Sequence, residues 1–298
     1  MSDDTVENYL EHRPVVKHPR VKCCNSSRSL YCPECCALLV ETDRRPPFIS
    51  LPCKLDIVLD EKNRAKSTGV HAKCLVDAQE GLATCNNECS LFDIERGDAL
   101  PEYNVSDSVS DSDGTYILFP VPGESVPLAS VAGNINRLVV LDCKWTKSSC
   151  KDRPELRNLP KVHLTEPPEQ SYFWRWHNSG PGMISTIEAI YYASLEIAEH
   201  KQSIPKDERE NLIHLLYLFA EQRMSIQRSC EKSGEAAPFS EEGKEEQRAL
   251  RRYKGTEKQA RDKEKGKLLK EIARKQREAT EKEAGISSLS QQVAKLDI

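Results

Sequence analysis

The chain of 298 residues is long enough for one sizeable domain with appendages or for two small ones. Its 43 basic and 47 acidic residues give a net charge of −4, a sum that neither favours nor excludes nucleic acid as a partner. No apolar run approaches the roughly 18 residues of a membrane span, and the acidic start "MSDDTVENYLEHRP" lacks a secretory signal. We therefore expect an intracellular protein of the nucleus or cytoplasm, without membrane contact, whose twelve cysteines bind metal or pack in the core rather than form disulfides.

The first part of the chain is predicted to hold an arm, a cysteine-rich module and a strand. Residues 1–20 are predicted to form a polar arm, and residues 21–45 the cysteine-rich module. The run "CKLDIVLD", residues 53–60, has strand character. The acidic and serine-rich "YNVSDSVSDSDGT", residues 103–115, breaks any periodicity and predicts a surface loop.

Two further apolar runs, "YILFP" at residues 116–120 and "RLVVLD" at 137–142, are continuous rather than alternating. Strands that are buried on both faces have this pattern, which is typical of a parallel sheet covered by helices. The predicted fold class is therefore α/β, with a mostly parallel sheet flanked by helices.

Two helices are predicted after the sheet. The first, "STIEAIYYASLEIAEH" at residues 185–200, begins with a capping box in which Ser185 is the N-cap and Glu188 follows three residues later. The second spans residues 207–229 and carries a stripe of leucines and a phenylalanine.

A charged tail, residues 233–298, follows the second helix. Residues 241–280 contain 14 Lys or Arg and 9 Asp or Glu, a local net charge of +5, and too few apolar side chains for a core. The tail is predicted to be a solvated helix or a disordered segment. Its basic residues either bind RNA phosphates non-specifically or face solvent.

Four cysteines of the N-terminal module are predicted to bind a structural zinc ion: Cys23, Cys24, Cys32 and Cys35. The C-x-x-C pair supplies two ligands of a tetrahedral site, and the cysteines upstream supply the others. A cysteine-rich loop without metal is the alternative. Cys85 and Cys89 are a candidate for a second site.

Several loops are candidates for a common ligand pocket. The glycine-rich "NSGPG", residues 178–182, leads into the first predicted helix, whose N-terminus would attract a carboxylate or phosphate. Arg175 could add a bidentate contact, and an ordinary tight turn is the alternative. Because ligands of α/β folds bind beyond the carboxyl ends of strands, residues 119–125 and 142–149 are expected to converge on the same pocket.

Six short motifs occur in order along the chain: "KSTGVHA" (66–72), "ILFPVPGESV" (117–126), "LDCKW" (141–145), "LRNLPKVHL" (156–164), "FWRWH" (173–177) and "STIEAIYYA" (185–193). Together with the preceding cysteine cluster, they resemble the DTW-domain family of tRNA-uridine aminocarboxypropyltransferases over roughly residues 20–230. The similarity is greatest to the eukaryotic branch that modifies a D-loop uridine.

The resemblance implies a catalytic domain at residues 46–232 that is related to the SPOUT methyltransferases. It leaves open whether this domain contains a trefoil knot. It implies S-adenosyl-L-methionine as the cofactor and tRNA as the partner. The 3-amino-3-carboxypropyl group would go to N3 of uridine, forming acp3U and releasing methylthioadenosine. Monomer and homodimer both remain open.

Asp142 is the candidate base that accepts the N3 proton, and the alternative is that it caps the following turn. Trp145 either stacks on the base or the adenine, or packs in the core. The residues expected to bind the cofactor are Leu118, Phe119, Pro120, Pro122, Gly123, Ser125, Leu141, Arg175, Ser185, Thr186 and Glu188. The residues expected to contact RNA are Lys66, His71, Lys144 and Lys147.

Two positions depart from the family pattern. The Asp-x-Thr-Trp motif has Lys144 in place of threonine, which could bind a tRNA phosphate, face solvent or mark a weakened enzyme. The first cysteine of the family's usual C-x-x-C pair falls on Val21, so that Cys23 substitutes for it or the site is remodelled. A SPOUT-type RNA methyltransferase and an inactive zinc-dependent RNA-binding protein remain alternative functions.

Overall fold

The computed structural model describes residues 3–12, 16–78, 88–103, 114–143, 149–168, 171–173, 183–201, 204–249 and 264. The chain divides into two compact units, Met1–Phe239 and Ser240–Ile298. In the second unit, residues 241–249 are helical. Across these described ranges, no helix is long and apolar enough to cross a membrane.

The chain begins with a helix that the sequence analysis did not predict. Helix α1, Asp3–Glu11, buries Val6 and Leu10, which are each 1% exposed. These two residues lie one helical turn apart and join the main hydrophobic core. All remaining residues of the helix are polar or aromatic. The sequence of the segment alone therefore indicates a solvated arm, and two apolar residues are too few to predict its packing against the core.

The cysteine-rich module follows as a small hairpin. Strand β1, Val21–Cys23, pairs antiparallel with β2, Ser26–Arg28. After the hairpin, Leu38, Val40 and Ile49 are buried in the main core. The module is therefore packed as part of the first compact unit.

Among the described residues, six parallel strands form the central sheet: β3 (Lys54–Asp60), β4 (Cys89–Asp93), β5 (Thr115–Leu118), β6 (Val126–Pro127), β7 (Arg137–Cys143) and β8 (Lys161–His163). Their order across the sheet is β4-β3-β7-β5-β8-β6. The predicted strands at residues 53–60, 116–120 and 137–142 correspond to β3, β5 and β7. The predicted α/β class with a mostly parallel sheet is thus confirmed.

Both faces of the sheet are buried, as the continuous apolar runs require. On one face, Ile57 and Leu59 of β3 belong to the larger hydrophobic cluster, which includes residues of the helices. On the other face, Val58 packs with Ile117 and Val139 in a smaller cluster. The alternation along β3 follows from the two-residue repeat of a strand.

Within the described residues of the first unit, four helices follow α1: α2 (Gly69–Asp77), α3 (Thr186–His200), α4 (Lys206–Asn211) and α5 (Tyr217–Ser233). The capping box of α3 is confirmed. The single helix predicted over residues 207–229 is instead split into α4, a 3₁₀ segment at Leu212–Leu216, and α5. Four of the five residues in that segment are buried. An amphipathic α-helix buries only one stripe of its surface, so a continuous α-helix would not bury so many consecutive residues.

Candidate active site and metal centre

The carboxyl ends of the parallel strands meet at one edge of the sheet, where ligands of open α/β sheets bind. Asp142 lies near the end of β7, which is paired with β3 on one side and β5 on the other. It is therefore close to the middle of this edge. The loops after β3 and β5 begin at the same edge.

The carboxylate of Asp142 connects the starts of two helices. Its Oδ2 accepts hydrogen bonds from the Ser67 hydroxyl and, at 2.9 Å, from the backbone N–H of Gly69, the first residue of α2. Its Oδ1 accepts a hydrogen bond from the hydroxyl of Thr186, the first residue of α3, at 2.8 Å. Helix N-termini carry a partial positive charge, so the location favours a buried anion. Ser67 was not among the predicted site residues.

The environment of Asp142 also tunes its proton affinity. The side chain is only 7% exposed, and burial raises the pKa of the carboxyl group above its usual value. The hydrogen bonds from Ser67, Thr186 and Gly69 act in the opposite direction but do not cancel the effect of burial. A carboxylate with a raised pKa is a stronger proton acceptor than one in water.

Gly69 brings the start of α2 against this carboxylate. A Cβ atom at this position would lie 2.6 Å from Asp142 Oδ2 and 3.0 Å from Ile57 Cγ2. Gly69→Ala is therefore expected to lower the free energy of unfolding by about 1–3 kcal/mol, measured by urea denaturation. As a control, Gly133→Ala adds a Cβ with no atom within 4 Å, and its effect should stay below about 0.5 kcal/mol. Equal stabilities of the two variants would contradict close packing at Gly69.

Glu188 connects the two described segments that precede residue 174 and follow residue 182. Its carboxylate is 1% exposed and accepts hydrogen bonds from the Ser171 hydroxyl and the backbone N–H groups of Tyr172 and Ser185, each at 2.7 Å. Arg223 adds a bond of 2.7 Å to the carbonyl oxygen of Tyr172. The Glu188 carboxylate thus holds the segment that ends at residue 173 next to the start of α3.

The loop after β5 is shaped by Ser125. Its hydroxyl donates to the Val121 carbonyl oxygen and accepts from the Val121 N–H, each at 3.0 Å. The same hydroxyl lies 3.0 Å from Nδ1 of His163 at the end of β8, a residue that the sequence analysis did not select. Gly123 lies in the turn between Val121 and Ser125 and has a φ of +78°, a backbone conformation that favours glycine.

The other candidates for cofactor binding lie around this edge with different exposure. Leu118 ends β5 opposite Val140 and is buried, whereas Pro120 and Pro122 are exposed. Phe119 and Leu141 are half-buried and pack against the smaller hydrophobic cluster. The structure thus brings β5, β7 and the start of α3 to one edge of the sheet.

The RNA-contact candidates are divided between surface and core. Lys66 is exposed on a 3₁₀ turn before α2. His71 is 1% exposed, burial lowers its pKa to about 3, and its Nε2 lies 3.1 Å from the hydroxyl of Tyr31. The His71 side chain is therefore in the core rather than on the surface. The predicted residues that lie outside the described ranges are Lys144, Trp145, Lys147 and Arg175.

The four predicted zinc ligands come together. The Sγ atoms of Cys23, Cys24, Cys32 and Cys35 all lie within 4.8 Å of one another. Two of the separations are 3.5 Å for Cys23–Cys35 and 4.0 Å for Cys23–Cys24. A tetrahedral zinc with Zn–S bonds of about 2.3 Å requires sulfur–sulfur separations of about 3.8 Å. The cluster therefore has the donor set and the size for this ion.

Backbone geometry explains how adjacent cysteines share one centre. Neighbouring side chains of a strand point to opposite faces, but Cys24 leaves β1 with a φ of +44°, followed by Asn25 at +62°. This turn bends the chain enough to bring the Cys23 and Cys24 thiols together. Cys23 also lies two residues after Val21, so the two side chains occupy the same face of β1.

The candidate second metal site has one described member. Cys89 begins β4 and is buried, with its pKa raised by burial, while Cys85 lies outside the described residues.

The chain was compared with protein-family models, solved structures and curated proteins. A family model described as the DTW domain matches residues 29–224, more than half of the chain. Among solved structures, the SAM-dependent rRNA:acp-transferase Tsr3 from Vulcanisaeta distributa matches with 15% identity, covering 63% of this chain and 87% of its own. The TM-score is 0.33, at which the likeness carries no argument about fold or activity. No curated protein matches the chain.

Proposed function

Since this chain belongs to the DTW-domain family, we propose that it transfers the 3-amino-3-carboxypropyl group of S-adenosyl-L-methionine to N3 of a uridine in a tRNA D-loop, forming acp3U. The observation that best supports the proposal is the buried Asp142 carboxylate at the centre of the strand ends. It is held there between the starts of α2 and α3.

Asp142 is proposed to remove the proton of uridine N3, because that nitrogen becomes a good nucleophile only after the proton has left. Oδ1 is the better candidate atom, since one described hydrogen bond, from Thr186, reaches it, whereas two reach Oδ2. A carboxylate oxygen has two lone-pair directions, which leaves one for the substrate. The fixed hydroxyl of Thr186 would orient the carboxylate toward N3.

S-adenosyl-L-methionine, when bound, would supply the aminocarboxypropyl group on a sulfonium, so that the N3–carbon bond forms, the carbon–sulfur bond breaks and methylthioadenosine leaves. Apart from Arg175, which lies outside the described residues, the residues proposed to bind it lie around the edge described above. The start of α3, with Ser185 and Thr186, is proposed to face the carboxylate of its amino-acid arm, together with Arg175. The turn from Leu118 to Ser125 is proposed to face its adenosine.

The cysteine cluster is proposed to hold a structural zinc ion that stabilises the N-terminal hairpin. All four ligands are thiols, which suits a structural rather than a catalytic site. Lys66, Lys144 and Lys147 are proposed to contact tRNA phosphates.

The proposal is tested by mass analysis of nucleosides from total tRNA after incubation with the zinc-loaded protein and S-adenosyl-L-methionine. We expect acp3U to form together with an equal amount of methylthioadenosine. Release of S-adenosylhomocysteine with a methylated nucleoside would instead indicate a SPOUT-type methyltransferase. Absence of any new nucleoside, with a folded and zinc-loaded protein, would contradict the transferase.

A further inference from the structure

A cavity of about 330 Å³ lies between the N-terminal module, the loop after β3 and helix α5. Its walls combine the apolar side chains of Leu30 and Ile226 with the polar side chains of Arg28 and Gln222. Pockets for small molecules have volumes of roughly 300–1,000 Å³, so this cavity suits a ligand of about one nucleotide. It shares no lining residue with the predicted cofactor site.

Gln222 lines this cavity, and its amide group is held in place by a hydrogen bond. Its Nε2 donates to the Tyr31 hydroxyl at 3.1 Å, and that hydroxyl lies 3.1 Å from Nε2 of the buried His71. This contact orients the amide and leaves Oε1 as the remaining acceptor. Within the described ranges Oε1 is buried and has no hydrogen-bond partner. A buried amide oxygen is unfavourable without a donor, which an N–H group of a ligand would supply.

Arg28, which lines the cavity, belongs to a strongly basic segment of the chain. Between Val16 and Pro33 the chain carries no Asp or Glu and four Lys or Arg: Lys17, Arg20, Lys22 and Arg28. The next acid, Glu34, forms an ion pair with Arg96. In the part of the chain that the structure describes, the buried Nε of Arg28 has no hydrogen-bond partner. An anionic ligand is therefore favoured here over a cationic one.

We infer that the cavity between the N-terminal module and α5 binds the base of one unpaired nucleotide of the RNA substrate. Proteins read single-stranded RNA by stacking splayed-out bases on flat side chains and bonding to their edges. Leu30 and Ile226 would contact the base, Gln222 Oε1 would accept a hydrogen bond from its N–H edge, and Arg28 would stack on it or bind its phosphate. The inference rests on the proposed RNA substrate and extends it to a second recognition site.

The connection to the active site supports this assignment. Ala65 lines the cavity, and Ser67, two residues later, donates to the Asp142 carboxylate. The loop after β3 thus contributes to both places. The bound nucleotide is therefore expected to be a near neighbour of the modified uridine.

Binding of tRNA to the zinc-loaded full chain tests the inference without any transfer step. We expect Gln222→Leu and Arg28→Ala each to weaken tRNA binding by roughly tenfold, the scale of losing one buried hydrogen bond or one stacking contact. Gln222→Leu removes no charge, so the slope of affinity against salt should stay that of the parent. The matched control is Lys22→Ala, which lies on the same hairpin outside the cavity and should weaken binding by about two- to threefold.

The inference is overturned if Arg28→Ala weakens binding no more than Lys22→Ala does and Gln222→Leu binds like the parent. That result would show that the hairpin contributes charge only, and it would leave the transferase proposal intact. Thermal unfolding of each variant is recorded in parallel. If Gln222→Leu is unstable, the comparison of Arg28→Ala with Lys22→Ala decides the question alone.

Discussion

Asp142→Asn is expected to lower the rate of aminocarboxypropyl transfer by roughly 10²–10⁴-fold, the usual contribution of a general base, while the protein stays folded. Asparagine fits the hydrogen bonds around this position. Its amide oxygen can accept from Ser67 and Gly69, and its amide nitrogen can donate to the Thr186 hydroxyl. Asp142→Ala would instead leave three donors unpaired, at about 1–3 kcal/mol each, and would confuse loss of the base with loss of the fold.

The pH dependence of the rate provides a second readout. Burial raises the pKa of Asp142, and only the ionised carboxylate can accept the N3 proton. The kcat/KM of the parent should therefore fall as the pH drops through this raised pKa. The asparagine variant should lack that decrease, because it has no group that titrates there.

Glu61→Gln is the matched control for this experiment. Glu61 directly follows β3 at the same edge of the sheet and accepts a hydrogen bond from the backbone N–H of Asn63. It has no described hydrogen bond to Asp142, and its charge makes only a minor contribution to the raised pKa of that carboxyl group. Its removal should change the rate by less than about threefold. If Asp142→Asn also stays within that range, the role of Asp142 is to hold α2 and α3 together rather than to accept a proton.

Cys32→Ser is expected to reduce bound zinc from about one ion per chain to almost none and to destabilise the protein by several kcal/mol, since structural zinc in small modules binds with roughly 10 kcal/mol or more. Cys32 is buried in the thiol cluster, and the serine hydroxyl is a poor ligand for this ion. Metal content by plasma mass spectrometry and thermal unfolding measure the two effects.

Cys230→Ser is the matched control, because it also replaces a thiol by a hydroxyl group. Cys230 lies half-buried on α5, outside the thiol cluster, so Cys230→Ser should keep its zinc. Retention of one zinc per chain in Cys32→Ser would show that the metal binds elsewhere or that three thiols suffice.

Those parts of the fold whose signal is local could be predicted from the sequence. The apolar run of β7 and the start of α3 are local patterns, because burial on both faces and a capping box both appear in neighbouring residues. The four cysteines of the thiol cluster also lie within 13 consecutive residues, and turn geometry brings them together.

The features that the sequence could not predict depend on contacts between residues that are far apart along the chain. Asp142 could be selected as a strand-end carboxylate, but its partners Ser67 and Thr186 lie 75 and 44 positions away. Gln222 has no local feature that separates it from other helix-surface amides. Its role depends on Tyr31, which is 191 positions earlier.

The packing of α1 and the segment after it against α5 and the preceding 3₁₀ segment also affects the order in which the protein can fold. Tyr9 bonds to His214 across 205 positions, and His18 contacts Glu221 across 203. Helix α1 and the segment after it therefore gain these packing partners only after 205 and 203 further positions have been synthesised. Contacts of such long sequence separation slow folding, so we expect Val6 and Leu10 to stay exposed in nascent chains until α5 has emerged.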